Sequence, residues 1–216
     1  GEEFLYVKNL FEEIGINTLT INTGVFKSAF EADISNEEVI KAVGYDLKDI
    51  VEKKDRALAT ECLSKGMEIL IPKLYKQGKF DGIISFGGSG GTSLVTPAMR
   101  ILPIGVPKIM VSTMASGNTE QYVGTSDVIL IPSIVDVAGL NAISTKIFKN
   151  AVFAMAGMLK HDTKEVRNNK PLIAATMFGV TTPCIDKAKE YMEHRGYEVL
   201  VFHATGTGGK TMESLI

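Results

Sequence analysis

The sequence of 216 residues has no tryptophan, two cysteines and three histidines. Cys62 and Cys184 form no CxxC pair, and both are expected to be reduced, buried thiols of a cytoplasmic protein. His161, His194 and His203 are far apart and make no HxxxH or Cys/His cluster, so no metal site is expected. Charge of one sign is lacking too: 23 Lys+Arg against 25 Asp+Glu leave a formal net charge of −2. Such a balance gives no basic excess to draw in nucleic-acid phosphates, so no direct nucleic-acid binding is indicated. The apolar stretches are broken by Gly, Pro or Asp well before about 18 residues, which excludes a transmembrane helix. What is present, 45% apolar and 22% charged residues, is the composition of a globular chain long enough for one large domain or two small ones.

The pattern along the chain alternates helix and strand. Phe4, Val7, Phe11 and Ile14 share one helical face, and Gly15 ends that helix as a C′ residue. Ile16 to Ile21 alternates as a strand does. A helix followed by a strand implies that a strand preceding Gly1 has been lost, and the chain reads as a fragment of a longer protein. Ser35 and Glu38 have capping-box spacing for a short helix to about Val43. A longer helix is expected over 53–77, kinked or divided by Pro72. Phe80–Phe86, Pro107–Thr113 and Asp127–Ile131 read as strands, with helices over about 92–102 and 141–159. Lys160–Lys170 is polar and charge-rich and reads as a linker. Beyond it Leu172–Phe178 and Tyr197–His203 are strands, Thr182 with Pro183 opens a helix, and Gly206–Gly209 opens the last. Short, almost wholly apolar strands alternating with helices imply parallel βαβ units covered on both faces. The expected fold is therefore doubly wound, mostly parallel and Rossmann-like. A nearly complete unit occupies 1–165 and a truncated second unit 171–216.

In open α/β sheets ligands bind at the carboxyl ends of the strands. Four such ends are rich in Gly, Ser and Thr. They are Gly87-Gly88-Ser89-Gly90-Gly91-Thr92-Ser93, Thr113-Met114-Ala115-Ser116-Gly117, Phe178-Gly179-Val180-Thr181-Thr182 and Thr205-Gly206-Thr207-Gly208-Gly209. Glycine lets backbone approach a ligand closely, the free amides of a helix start point at an anion, and hydroxyls add neutral hydrogen bonds. A βα loop also needs Gly and an N-cap Ser or Thr for structure alone, but four glycines within Gly87–Gly91 exceed that need. Gly209-Lys210-Thr211 ends like a P-loop, yet Ala204 stands where the first glycine belongs. His203, at a strand end, is the candidate general acid or base. Glu120, Asp127 and Asp136 lie near strand ends as ribose or metal partners, or as solvated carboxylates. Ser89 and Ser116 lack the GxSxG elbow of a nucleophile, and the segment around Asp33 is a candidate flap.

The segments GGSGGTS, STMASG, MFGVTTPC and VFHATGTGG, taken together, resemble the family of the amino-terminal inhibitory domain of the tomato mosaic virus resistance protein, whose bacterial relatives are largely uncharacterised. The resemblance implies two Rossmann-like subdomains, a homodimer and ATP binding, with or without Mg2+. It carries ATP to Gly87–Thr92, to Thr113, Ser116 and Gly117, to Thr181 and Thr182, and to Thr205–Gly209. Relatives often have Arg then Ala where this chain has Lys210 and Thr211, which argues against a P-loop. The expected function is nucleotide binding in a homodimer. The alternatives are an enzyme acting on a small phosphorylated or carboxylated metabolite, and a protein-interaction module with a regulatory nucleotide site.

Overall fold

The computed structural model describes residues 1–25, 30–52, 55–160 and 169–215. The chain divides into two compact units, residues 1–123 with 127–162 and residues 124–126 with 163–216. The first unit opens with helices α1 (Glu2–Glu13), α2 (Asn36–Lys41), α3 (Leu47–Glu52) and α4 (Arg56–Lys76). Then strands and helices alternate: β1 (Ile83–Gly87), α5 (Ser89–Ile101), β2 (Lys108–Ser112), α6 (Glu120–Val123), β3 (Ile129–Pro132) and α7 (Ser144–Lys160). The second unit holds β4 (Leu172–Met177), a 3-10 turn (Gly179–Thr181), α8 (Thr182–Glu193), β5 (Glu198–His203) and α9 (Thr207–Leu215).

β1, β2 and β3 form a parallel sheet in that order, with Gly87 level with Ser112 and Ser112 level with Pro132. All five residues of the central strand β2 are buried. Successive side chains of a strand face opposite ways, and β2 feeds two cores accordingly. Ile109 and Val111 join Val7 and Phe11 of α1, Phe86 of β1, and Phe148, Val152 and Met155 of α7. Met110 joins Val39 and Ile40 of α2, Leu63 and Met67 of α4, and Leu94, Val95, Ala98 and Met99 of α5. Helices on both faces explain why β2 reads as a continuous apolar run rather than an alternating one. This is the doubly wound α/β arrangement expected from the sequence. In the second unit β4 and β5 pair in parallel from Leu172 opposite Glu198 to Met177 opposite His203.

Several local expectations are met. Gly15 has φ +75° beyond α1, a value that favours glycine over any residue with a Cβ. The Ser35 hydroxyl accepts from the Glu38 amide and the Glu38 carboxylate accepts from the Ser35 amide, closing the capping box. Others are corrected. Pro72 lies inside α4 without dividing it. The helix α3 has no counterpart in the sequence pattern, because six residues give too few turns for periodicity to show. Ile16–Ile21 alternates in burial but makes no ladder; only Ile21 bridges to Ile34, while the Ile34 amide donates to Thr20 and Asn22 donates to Ile34. The Thr18 hydroxyl in this segment is buried without a hydrogen-bond partner among the described residues, and nothing in the structure explains it. Cys62 is buried as expected, but Cys184 is exposed, because the first turn of α8 leaves it facing water. Most of the expected linker, residues 161–168, lies outside the described residues.

Candidate functional site

The glycine-rich segment after β1 is not a loop. Gly87 is the last residue of β1, Gly88 is the N-cap of α5, and Ser89, Gly90 and Gly91 are its first turn. A Cβ on Gly87 would stand 3.3 Å from the Gly91 Cα, so close backbone packing accounts for that glycine. At Gly90 and Gly91 a Cβ would meet nothing within 4 Å, and Ser89, Gly90 and Gly91 are exposed. A glycine N-cap brings no side-chain oxygen to satisfy the first amides of the helix. The start of α5 therefore presents bare amides and the positive end of a 13-residue helix dipole to open space.

Beneath this turn lies a buried polar network. The Thr92 hydroxyl donates to the Gly88 carbonyl at 2.8 Å and stands 2.6 Å from the Ser112 hydroxyl. The carbonyl can only accept, so Ser112 must donate to Thr92, and the Ser112 oxygen in turn accepts from the Met114 amide at 2.9 Å. Both side chains are fully enclosed, Thr92 at 0% and Ser112 at 1% exposure. The two hydroxyls thus join the end of β1, the start of α5, the end of β2 and the segment after it. Thr92 faces inward and holds the rim from below. Thr113 is half-buried, Ser116 and Gly117 are exposed, and the Thr113 amide donates to Gly87 at 3.3 Å.

The third strand end adds a strained turn. Ile134 has φ +65°, and the Val135 amide donates to the Ser133 carbonyl at 2.7 Å across it. This is a γ-turn of the positive-φ kind, costly for a β-branched residue. Ser133 is buried and fixes the turn from both sides: its amide donates to Ser112 at 3.1 Å and its hydroxyl to Val135 at 2.7 Å. The chain then brings Asp136 back to the start of α5. A Cβ on Gly88 would lie 3.9 Å from the Asp136 carboxylate and 3.7 Å from the Thr113 hydroxyl. Gly88, Thr113 and Asp136 are thus brought together at one rim, and a strained backbone at such a place is typical of a functional site. The segments 87–93, 113–119 and 133–137 contain no Lys or Arg.

Other acidic candidates lie elsewhere. Asp127 precedes β3, at the amino end of the sheet and away from the rim. It pairs with Lys108, whose Nζ lies 2.5 Å from Oδ1, and accepts from the Gly105 amide at 2.7 Å. Burial alone would raise the Asp127 pKa, but the Lys108 and Gly105 hydrogen bonds overcome it and hold the carboxyl below its ordinary 3.8. This is a structural ion pair, because the loop before β2 must close over a lysine that has no water. Glu120 opens α6 and is exposed. Asp33 is engaged with Thr20, whose hydroxyl and amide donate to it at 2.6 and 2.7 Å and lower its pKa. It clips one chain segment to another, and residues 26–29 of the neighbouring segment lie outside the described residues.

In the second unit the 3-10 turn places Thr181, not Thr182, at the N-cap of α8. The Thr181 hydroxyl is occupied locally, donating to the Phe178 carbonyl at 3.0 Å and accepting from its amide at 3.1 Å. Thr182 is half-buried in the first turn of α8. Thr205, Gly206 and Thr207 are exposed, and Gly206 has φ +50°. A Cβ on Gly208 would fall 1.8 Å from the His203 carbonyl, so this glycine is required for α9 to start against β5, whereas Gly209 faces open space. Thr211 turns its hydroxyl back to the Thr207 carbonyl at 2.9 Å, unlike a P-loop threonine that reaches a metal ion. His203 is exposed, and its ring packs on Phe178. Among the described residues no three His, Cys, Asp or Glu gather as a metal site, and no helix is long and apolar enough to cross a membrane.

The Uncharacterised protein family (UPF0261) N-terminal domain matches residues 1–164, and the C-terminal domain of the same family matches residues 170–216. A UPF0261 protein of Clostridium tetani (strain Massachusetts / E88) is 49% identical over 217 residues, covering 100% of this chain and 54% of its own length. The ToMV resistance protein Tm-1(GCR237) of Solanum lycopersicum is 48% identical over 166 residues, 74% of this chain and 22% of its own. A UPF0261 protein of Rhizobium meliloti (strain 1021) is 39% identical over 215 residues, 100% of this chain and 53% of its own. The chain thus spans about half the length of these bacterial relatives. The resemblance carried by the four glycine-rich segments is that of a shared family, and the chain belongs to UPF0261.

Proposed function

We propose that this chain binds a nucleotide, ATP first among them, with phosphates held by main-chain amides at strand ends. The observation that supports this most is the start of α5, where the glycine N-cap gives the first amides no side-chain acceptor and Gly90 and Gly91 are exposed. Thr113, Ser116 and Gly117 stand at the neighbouring strand end. The absence of Lys and Arg from these segments means that amides and a helix dipole, rather than side-chain cations, offset the charge. Asp136 opposes a bare phosphate at Gly88, so the phosphates are expected to arrive with Mg2+, toward which the Asp136 carboxylate would serve as one ligand. In the second unit, open Gly209 and exposed Thr205 and Thr207 at the start of α9 offer a second set of amides and hydroxyls.

The family resemblance implies a homodimer and the cysteine usage a cytoplasmic location, and both belong to this reading; no antiviral role is carried over. Thermal shift measurements with ATP, ADP, inorganic phosphate and small carboxylic acids, each with and without Mg2+, test the proposal. Stabilisation by ATP with Mg2+ is expected. Stabilisation by phosphate or a small acid but not by ATP favours the second reading, an enzyme on a small anionic metabolite with exposed His203 as acid or base.

A further inference from the structure

Among the described residues, Ile134 alone of the non-glycine residues has a positive φ, +65°. A β-branched side chain crowds its own backbone there, and glycine or asparagine would hold the same turn with less strain. Burial does not offset that strain. Ile134 is 70% exposed, the most exposed large apolar side chain among the described residues of the first unit. Folding gains little from isoleucine at this position, and a strained residue held in place by its surroundings points to function.

The surroundings do hold it. Ser133 is buried, its amide donates to the Ser112 carbonyl at 3.1 Å, and its hydroxyl donates to the Val135 carbonyl at 2.7 Å. Ser112 in turn belongs to the Thr92 network beneath the start of α5. Two residues beyond Ile134, the Asp136 carboxylate comes within 3.9 Å of where a Gly88 Cβ would stand. Two residues of chain span at most about 7 Å, so Ile134 lies within that reach of Asp136. The turn follows the last residue of β3, at the carboxyl end of the sheet where α/β folds take ligands. Gly88, Ser112, Ile134 and Asp136 all belong to the first unit.

We propose that Ile134 is a specificity-determining residue, an apolar wall against which the base of a nucleotide packs while its phosphates lie at the start of α5. The inference rests on the nucleotide reading above and deepens it. Ligand sites pair a few placed polar groups with apolar surface. Gly88, Thr113 and Asp136 supply the first at this rim, and Ile134 supplies the second. A single projecting side chain suits one flat base, whereas a protein partner needs a far larger patch.

Calorimetric titration of the 216-residue chain with ATP and with inorganic tripolyphosphate, both with Mg2+, tests it. The unmodified chain should bind ATP more tightly than tripolyphosphate. Ile134→Asn keeps a residue that accepts a positive φ and removes the apolar side chain. It should weaken ATP by roughly 5- to 30-fold and leave tripolyphosphate unchanged. Ile134→Gly should do the same, and Ile134→Val should lose less ATP affinity than either. Retained tripolyphosphate binding shows that each variant is folded. Unchanged ATP affinity in Ile134→Asn and Ile134→Gly, or equal losses for ATP and tripolyphosphate, overturns the wall and leaves the phosphate reading standing. If the unmodified chain binds neither ATP nor tripolyphosphate, both proposals are overturned together.

Discussion

Asp127→Ala removes the partner of a lysine that has nowhere else to send its charge. Lys108 is among the most enclosed side chains of the described residues at 0% side-chain exposure, and among those residues its ammonium donates, besides Asp127, to the Pro103 and Val106 carbonyls at 2.8 and 2.9 Å. Breaking a buried pair by deleting one member costs about 3–5 kcal/mol, because the remaining charge is left uncompensated. The Asp127 side chain is 36% exposed, so water reaches the vacated place and the expected loss is nearer about 2–3 kcal/mol. The Gly105 amide loses its acceptor in the same change. Lys108→Met in the Asp127→Ala background should restore more than half of the loss, since a methionine stem fills the site without a charge. The assay is urea unfolding at pH 7 followed by circular dichroism, for the two single variants and the double. The pH dependence has a definite sign. The folded Asp127 carboxyl titrates below its ordinary 3.8, so its contribution is present above that value and disappears as pH falls through the lowered pKa. The gap between Asp127→Ala and the unmodified chain should therefore narrow as pH falls below 3.8. An Asp127→Ala variant as stable as the original at pH 7, or a double variant no better than it, would falsify the reasoning.

Three further outcomes follow from the rim. Thr92→Val keeps the shape but leaves the buried Ser112 O–H without its acceptor and takes one of two donors from the Gly88 carbonyl, which keeps the Thr92 amide, so it should cost about 1–3 kcal/mol in urea unfolding. Ile134→Gly relieves a positive φ at a side chain that is 70% exposed, and its melting temperature should be unchanged or raised, by up to about 1 kcal/mol in stability. Asp136→Asn removes the carboxylate facing Gly88, so ATP binding measured by calorimetry should depend less on Mg2+ than in the unmodified chain.

Much of the architecture was legible because hydrophobic pattern reports burial directly. β2 is apolar at every position except its ends, and it is the strand whose every residue is buried between the two cores. Pattern says nothing of partners, which is why Ile16–Ile21 alternates in burial yet lacks a ladder. The same limit applies to charge. Asp127 and Asp136 look alike in sequence, each beside a strand, but one lies at the amino end under Lys108 and the other at the carboxyl rim beside Gly88. A lysine at the first residue of an apolar strand was the available signal for the first of these. Glycine had two meanings that sequence alone could not separate. Gly66 in α4 lets the helix approach the Val39 carbonyl, where a Cβ would stand at 2.2 Å, and Gly208 does the same for α9 against β5. Gly90 and Gly91 serve no such packing, and they are the ones on which a ligand site rests.

The central claim is that the open amides at the start of α5 receive phosphate. Gly90→Asp addresses it directly, because a Cβ there meets nothing within 4 Å and an acidic residue in the first turn suits the helix dipole. Calorimetric titration of this variant with ATP and Mg2+, beside its melting temperature, gives the decisive comparison. The account predicts an unchanged or higher melting temperature together with an ATP affinity lowered at least about tenfold, the equivalent of about 1.4 kcal/mol. A folded Gly90→Asp variant that binds ATP as tightly as the unmodified chain would contradict it.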